Sequence, residues 1–416
     1  MKKATWVLIG GIVVLGTLLF VLLGGFKEDK HLVKRDRKPV LISGNFTSDI
    51  VKNTYVDGEN YLVSPYSLEM ALNLLKVGAD GNTYQEIEKL VPTRAMPLYS
   101  AKHRVSVANA VFIKNEYKNN VLETYLKEVE NLYEGEAIYD DFKKPTVINN
   151  WVSEKTSGMI DKIVDSFPKD FMMGLANAIA IDVDWASQFD CYSTTKSKFE
   201  TANGSIDVEM MHDTYSGGVE YVKTDNEIGI ILPYRSYNSI GESVPKDEED
   251  SISLEFVAIK PNMSTREYVE NMTMEKLTDT IDNAKSVGEK EEIHLALPRF
   301  TYDYSIDDLI EVLESFGIKD AFNENANFSR MANSSLYVGE AKHKTHIELN
   351  ETGTKAAAVT YFGMNATALP VEKKTIEITF DKPFIYLIRD SKNKEILFFG
   401  VVNEPNAWKG STCKES

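Results

Sequence analysis

The run Glu351-Thr352-Gly353-Thr354-Lys355-Ala356-Ala357-Ala358-Val359-Thr360 is the part of this 416-residue sequence that decides its fold. Glycine and small side chains fit both an exposed loop and a packed strand. With a period of two, one strand face carries small residues first and larger ones later: Thr354, Ala356, Ala358, Thr360, Phe362 and Met364. The alanine triplet also allows a helix, but the β-branched residues around it weaken that alternative. The run is therefore predicted to adopt two conformations, an exposed loop and a strand.

The composition is that of a globular protein with an acidic surface. Hydrophobic residues make up 43% of the chain and aromatic residues 10%, which is enough for a sizeable core. The formal net charge of −17 argues against nucleic acid or heparin as a partner, because nothing would favour counterion release. The two cysteines, Cys191 and Cys413, have no metal-ligand spacing, and no metal is expected. They could form one disulfide in an oxidising compartment, but the sequence does not place them together.

The N-terminal region is predicted to lie outside the folded domain. Residues 6–26 are uncharged and mostly apolar, which is long enough to span a membrane. Residues 1–26 are therefore expected to be a transmembrane anchor, with a cleaved signal segment as the alternative. The body would lie on the extracellular side of the membrane or be secreted. The Lys2-Lys3 start favours a bacterial source, and the charged residues 27–44 are expected to be a tether.

The remainder is predicted to be one domain, residues 45–406, followed by a short tail, residues 407–416. Apolar residues at helical spacing predict helices over residues 65–77, 121–132, 147–163 and 306–316. Apolar or alternating runs predict strands over residues 175–185, 228–232, 252–260, 375–380, 384–389 and 396–402. Helices gather early and strands late, which indicates the α+β class with large sheets.

Eleven short segments resemble the serpin family when they are taken in order. In the first half they are Leu62-Val63-Ser64-Pro65-Tyr66-Ser67, Gly78-Ala79-Asp80-Gly81-Asn82-Thr83, Val107-Ala108-Asn109-Ala110-Val111-Phe112, Ile148-Asn149-Asn150-Trp151-Val152 and Leu175-Ala176-Asn177-Ala178-Ile179. In the second half they are Leu297-Pro298-Arg299-Phe300, Phe316-Gly317-Ile318, Ala326-Asn327-Phe328-Ser329, His343-Lys344-Thr345, Asp381-Lys382-Pro383-Phe384 and Leu397-Phe398-Phe399-Gly400. Each segment is weak alone, but their order makes the resemblance specific. It implies one large α+β domain with three β-sheets, about eight or nine helices and an exposed reactive-centre loop near residues 351–374.

The resemblance implies a suicide inhibitor of serine proteases and not an enzyme. A protease would cleave the exposed loop, and the cleaved loop would insert as a strand in the main sheet and trap the acyl-enzyme. The hinge that inserts first resembles inhibitory members of the family: Glu351, Gly353, Thr354, Ala356, Ala357 and Ala358. Lys355 lies on the opposite face of such a strand, where it can stay solvated. The alternative is a non-inhibitory serpin-like binding or chaperone protein.

The spacing usual in the family, counted from Gly353, places the scissile bond at Thr367–Ala368. The stretch from Gly353 to Phe380 is a few residues longer than in many relatives, which keeps Met364 as an alternative. Small residues at the bond favour an elastase-like or subtilisin-like serine protease as the target. The chain is expected to act as a monomer without a cofactor.

Further positions match residues that control sheet opening in serpins. Ser64, Ser67, Asn177 and His343 match a polar cluster under the middle of the main sheet, and Trp185 matches a tryptophan where insertion begins. Buried polar groups of this kind need hydrogen-bond partners. Glu351 matches an acidic residue that is often paired with a lysine at the loop base, but the sequence does not identify its partner.

Catalytic motifs are absent from the sequence. It has no Gly-x-Ser-x-Gly elbow, no His-Glu-x-x-His and no phosphate-binding glycine loop. Cys191 lacks the flanking residues of a cysteine protease, and His343 and His346 lack neighbouring ligands.

Overall fold

The computed structural model describes residues 13–24, 43–94, 96–351 and 373–409. In these ranges the α-helices are α1 Phe46–Thr54, α2 Pro65–Gly78, α3 Gly81–Leu90, α4 Glu123–Tyr133, α5 Thr146–Lys155, α6 Thr265–Asn271, α7 Met274–Asp282 and α8 Leu309–Ser315. Short 3₁₀ helices lie at Asn115–Asn120, Cys191–Ser193 and Asp320–Phe322.

The strands run through the whole described chain. They are β1 Val13–Gly24, β2 Tyr61–Val63, β3 Ser100–Ala101, β4 Val105–Lys114, β5 Glu136–Asp140, β6 Phe171–Val183, β7 Thr195–Thr201, β8 Gly204–Tyr215, β9 Glu220–Lys223, β10 Glu227–Pro233, β11 Ser236–Tyr237, β12 Ser243–Val244, β13 Leu254–Pro261, β14 Lys285–Ser286, β15 Glu291–Pro298, β16 Phe300–Ile306, β17 Tyr337–Leu349, β18 Lys374–Thr379, β19 Phe384–Asp390 and β20 Ile396–Val402.

Three large sheets organise these strands, as the sequence predicts for the α+β class. The main sheet has seven strands in the order β16-β17-β1-β6-β4-β3, with β5 paired to β4. A second seven-stranded sheet has the order β14-β9-β10-β13-β19-β20-β2, and a four-stranded sheet has the order β18-β15-β8-β7. Strands β11 and β12 form a small separate ribbon.

Local sequence signals explain most element positions. Helix α2 begins at Pro65, as predicted, because Ser64 is its N-cap and the Ser64 side chain accepts a hydrogen bond from the Ser67 N–H. The prediction over residues 147–163 was too long, because α5 ends at Lys155. Ser157 (φ 52°) and Gly158 (φ 79°) adopt the left-handed conformation there and stop the helix.

In the main sheet, strand β6 is buried on both faces, which explains its continuous apolar run, whereas β17 alternates between buried and partly exposed residues. One face packs on the core that contains α2 and α8, and this core includes Val21 and Leu23 of β1. The other face packs on α5, and this layer includes Leu22 of β1 and Trp151. Neighbouring residues of β1 thus enter opposite layers, as the period of a strand requires.

Strand β1 is the largest departure from the expectation for the N-terminal region. Its residues, Val13–Gly24, fall within the predicted membrane segment but form a strand between β6 and β17. No helix in the described part of the chain is long and apolar enough to cross a membrane. A long uncharged apolar run suits a strand buried on both faces as well as a membrane helix, because both environments exclude water from every side chain.

Candidate functional site

The candidate site is the strand position between β6 and β17, which we call the central slot. Strand β1 fills this slot and pairs antiparallel with both neighbours. Leu19 lies opposite His343 of β17 on one side and opposite Asn177 of β6 on the other. Two residues of the predicted sheet-opening cluster therefore flank the slot at the same level.

His343 lies beneath the sheet because β17 alternates between its two faces. Its side chain is almost fully buried, and the backbone N–H of Ser64 donates to its Nε2 at 3.2 Å. Burial lowers the pKa of His343 to about 3, because a charged imidazole would lose its hydration. The ring is therefore neutral at physiological pH and accepts a hydrogen bond at Nε2.

The remaining cluster residues form a chain of buried hydrogen bonds. The Ser67 hydroxyl donates to Oδ1 of Asn177, and the Asn177 amide donates to Oδ1 of Asn109 at 2.9 Å. The Ser64 hydroxyl donates to the Leu397 carbonyl of β20 at 2.7 Å. Ser64, Ser67, Asn177 and His343 are thus brought together, and they join α2 to both strands that border the slot.

Asn109 extends this network, although it is not among the predicted site residues. It lies opposite Asn177 in β4 and donates to the Tyr133 carbonyl at 2.7 Å. In the sequence, Asn109 is the polar residue inside the apolar run of residues 107–112. This run is one of the family motifs, but the motif alone does not place Asn109 in the site.

Trp185 lies apart from the cluster, just beyond the end of β6. Its indole is buried, stacks on Tyr234 with ring centroids 4.5 Å apart, and donates from Nε1 to the Asn350 carbonyl at 2.9 Å. Asn350 is the first residue after β17. Trp185 therefore ties the end of β6 to the point where the chain leaves β17.

Glu351 is held at the same end of the slot by an arginine. Nε of Arg299 donates to the buried Glu351 carboxylate at 2.6 Å, and the Thr194 hydroxyl donates to it as well. Arg299 also donates to Glu209 at 3.2 Å. The partner of Glu351, which the sequence left open, is thus Arg299 of the motif at residues 297–300. It is an arginine and not a lysine.

The other predicted loop residues lie outside the described residues. They are Gly353, Thr354, Ala356, Ala357, Ala358, Met364, Thr367 and Ala368. In the described ranges, no group of His, Cys, Asp or Glu is arranged to hold a metal ion.

Cys191 lies three residues before Thr194, close in sequence to this anchor of the loop. It is disulfide-bonded. Cys413, the other cysteine of the sequence, lies outside the described residues.

The arrangement can control the separation of two strands. The polar network holds β6 and β17 through α2, and buried hydrogen bonds of this kind must rearrange together when the strands move apart. The ion pair of Glu351 fixes where the chain leaves β17. These features suit the gating of a strand position.

Comparison with known proteins agrees with this architecture. The family model described as serpin, serine protease inhibitor, matches residues 42–405. An uncharacterized serpin-like protein of Methanosarcina mazei is 30% identical over 387 residues, which are 86% of this chain and 84% of that protein. Neuroserpin of Homo sapiens is 27% identical over 394 residues, which are 85% of this chain and 88% of that protein.

Solved structures give the same result. The native state of tengpin, a thermophilic serpin, is similar with a TM-score of 0.70 at 30% identity, covering 88% of this chain and 96% of that one. The latent state of tengpin has a TM-score of 0.66 at 26% identity and covers 89% of this chain. Because the family model spans most of the sequence and these structures share its fold, the chain belongs to the serpin family.

Proposed function

We propose that this serpin is a suicide inhibitor of serine proteases. The observation that carries the proposal is the central slot. The main sheet admits an added strand between β6 and β17, and Glu351, the first residue of the predicted loop, lies at one end of that slot. A cleaved loop that folds back from Glu351 would run along β17 in the direction that β1 has now.

The loop composition supports this proposal. Its hinge, residues 353–358, consists of Gly, Thr and Ala apart from Lys355. Small side chains enter a close-packed sheet with little rearrangement of its neighbours. The Arg299–Glu351 ion pair gives the hinge a fixed point from which to enter.

The chemistry would come from the target protease. Its serine oxygen attacks the carbonyl carbon of Thr367, the bond to Ala368 breaks, and Ala368 leaves as a free amine with one added proton. The ester that remains links the protease to this chain. Insertion of about fifteen residues at roughly 3.3 Å each would carry that ester about 50 Å before water hydrolyses it. Cleavage after Met364 is the alternative, and an elastase-like or subtilisin-like protease is the favoured target.

The inhibitor would act as a monomer on the extracellular side of the cell, either anchored through residues 6–26 or secreted. Membrane anchoring and the strand β1 use the same residues, so one molecule cannot have both at once. A non-inhibitory binding or chaperone role is the second candidate, and it would apply if β1 never leaves the slot.

Incubation with subtilisin and with elastase, followed by denaturing gels, tests the proposal. We expect a covalent band at the summed mass of both proteins, and a released C-terminal peptide that begins at Ala368. Clipped product without a covalent band, with both proteases and at every ratio, would exclude the inhibitory role.

A charge on the inserting face provides a matched test. Thr354→Arg should convert the inhibitor into a substrate, because insertion would bury an unpaired charge. Lys355→Arg, a basic residue on the opposite face, should leave the stoichiometry of inhibition unchanged. Equal stoichiometries for the two variants would show that the assignment of the faces is wrong.

A further inference from the structure

Strand β1 occupies the central slot over its full length. All twelve residues pair with β6, from Val13 opposite Val183 to Gly24 opposite Phe171, and eleven pair with β17, from Val14 opposite Glu348 to Gly24 opposite Tyr337. No part of the slot between these limits is left for a second strand, because each strand edge hydrogen-bonds to one neighbour.

The direction of β1 is the direction that an inserted loop would have. A chain that leaves the end of β17 and turns back must run antiparallel to β17. Strand β1 is antiparallel to β17 and begins at the same end, where Val14 lies opposite Glu348 and Glu351 follows three residues later. The N-terminal segment and the loop would therefore run in the same direction and hydrogen-bond to the same backbone groups of β6 and β17.

The described side chains of β1, residues 21–23, are packed inside the slot. Val21 and Leu23 are buried in the layer on α2, and Leu22 is buried in the layer on α5. Burial of these three apolar side chains removes apolar area from water and stabilises β1 in the slot. The N-terminal segment is thus an effective competitor for the slot.

We infer that Val13–Gly24 is an internal competitor of the reactive-centre loop, which keeps the central slot filled until this segment withdraws. The inference rests on the proposed function, because competition has an effect on proteases only if the loop inserts. It assigns the N-terminal segment a regulatory role within the sheet: inhibition requires that β1 leave.

Thiol cross-linking tests the position of β1 without any protease. In the full chain, Leu18→Cys with Ala178→Cys places two thiols at directly paired positions, where Cβ atoms are about 5 Å apart. The control, Leu18→Cys with Met173→Cys, moves the partner five residues along β6, about 17 Å away. We expect a cross-link within one chain for the first pair only. Absent or equal cross-linking in the two pairs would overturn the inference.

The locked variant then tests competition. Oxidised Leu18→Cys/Ala178→Cys should form covalent protease complexes at least about tenfold more slowly than its reduced form, because β1 cannot leave. Leu22→Lys should accelerate complex formation by at least about tenfold, since it places a charge in the layer between the sheet and α5. Leu22→Met, which stays apolar, should behave as the wild type. Equal rates of complex formation for the locked and reduced forms would show that β1 does not compete with the loop.

A synthetic peptide separates this inference from the proposed function. An acetylated peptide of residues 353–366 should bind Leu22→Lys and should not bind the locked variant. If no form of the protein traps a protease but the peptide binds in this pattern, the proposed function fails and the competitor role stands. If proteases are trapped but the peptide binds both variants equally, the competitor role fails and the proposed function stands.

Discussion

At the scale of single residues, burial decides the charge of His343. Its ring lies under the sheet and accepts from the Ser64 N–H, with its pKa lowered to about 3. In the unfolded chain a histidine has a pKa of about 6.5. Between these two values the unfolded chain binds a proton that the folded chain does not, so stability falls as the pH falls.

Replacement of His343 should reveal this linkage. Between pH 8 and pH 5 the wild type should lose about 2 kcal/mol of unfolding free energy through this residue. His343→Gln lacks the titrating group, so over the same pH range it should lose about 2 kcal/mol less unfolding free energy than the wild type. Urea unfolding of both proteins at both pH values measures the difference. Parallel losses would show that His343 takes up a proton in the folded state.

Arg299 is a second residue whose effect follows from its environment. Arg299→Ala would leave the buried Glu351 carboxylate without its ion pair, which should cost about 2–4 kcal/mol. The control Arg266→Ala removes an exposed pair with Glu270 on α6 and should leave the thermal midpoint nearly unchanged. Similar midpoints for both variants would indicate that water replaces Arg299 at the carboxylate.

At the scale of elements, the close pairing of β19 and β20 depends on Gly400. A methyl group added there would lie 2.2 Å from Cζ of Tyr386, whose ring is fully buried. Gly400→Ala should therefore destabilise the protein by about 1–3 kcal/mol. Gly339→Ala in β17 is the matched control, since its nearest neighbour, the Tyr337 ring, is 3.5 Å away. Thermal unfolding measures the two variants. Equal midpoints would show that the site beside Tyr386 accommodates a methyl group.

Elements with local signals could be predicted from the sequence, and those without them could not. Helix α2 has its cap Ser64 and a continuous apolar face, so its start was predicted correctly. The end of α5 depends on Ser157, a non-glycine residue in the left-handed conformation, which no local rule requires. Strand β1 has the composition of a membrane segment, and only its neighbours β6 and β17 make it a strand.

At the scale of the whole molecule, Cys191 is disulfide-bonded. Cys413 is the only other cysteine in the sequence. Peptide mapping without reductant should therefore recover Cys191 and Cys413 in one linked pair. Reduction should lower stability by about 2–4 kcal/mol, because the unfolded chain regains freedom. Cys191→Ser, the control, should not respond to reductant. If Cys191 and Cys413 were both alkylated before any reductant was added, they would not be paired with each other.

The candidate site was predicted in part, for a physical reason. Ser64, Ser67, Asn177 and His343 were recognised because they stand in motifs, and the structure brings them together. Arg299 and Asn109 stand in motifs as well, but they match no position of the polar cluster, and the pairing of distant residues leaves no mark in local periodicity.

The sequence by itself determined the family, through the order of its motifs, and it indicated a loop able to become a strand, through the small residues 353–358. Only the tertiary structure decided what fills the central slot. A run such as Val13–Gly24 is stable wherever water is excluded on all sides, so its own residues do not choose between a bilayer and a sheet. The facing edges of β6 and β17 make that choice, because without β1 their backbone groups would be unpaired inside the sheet.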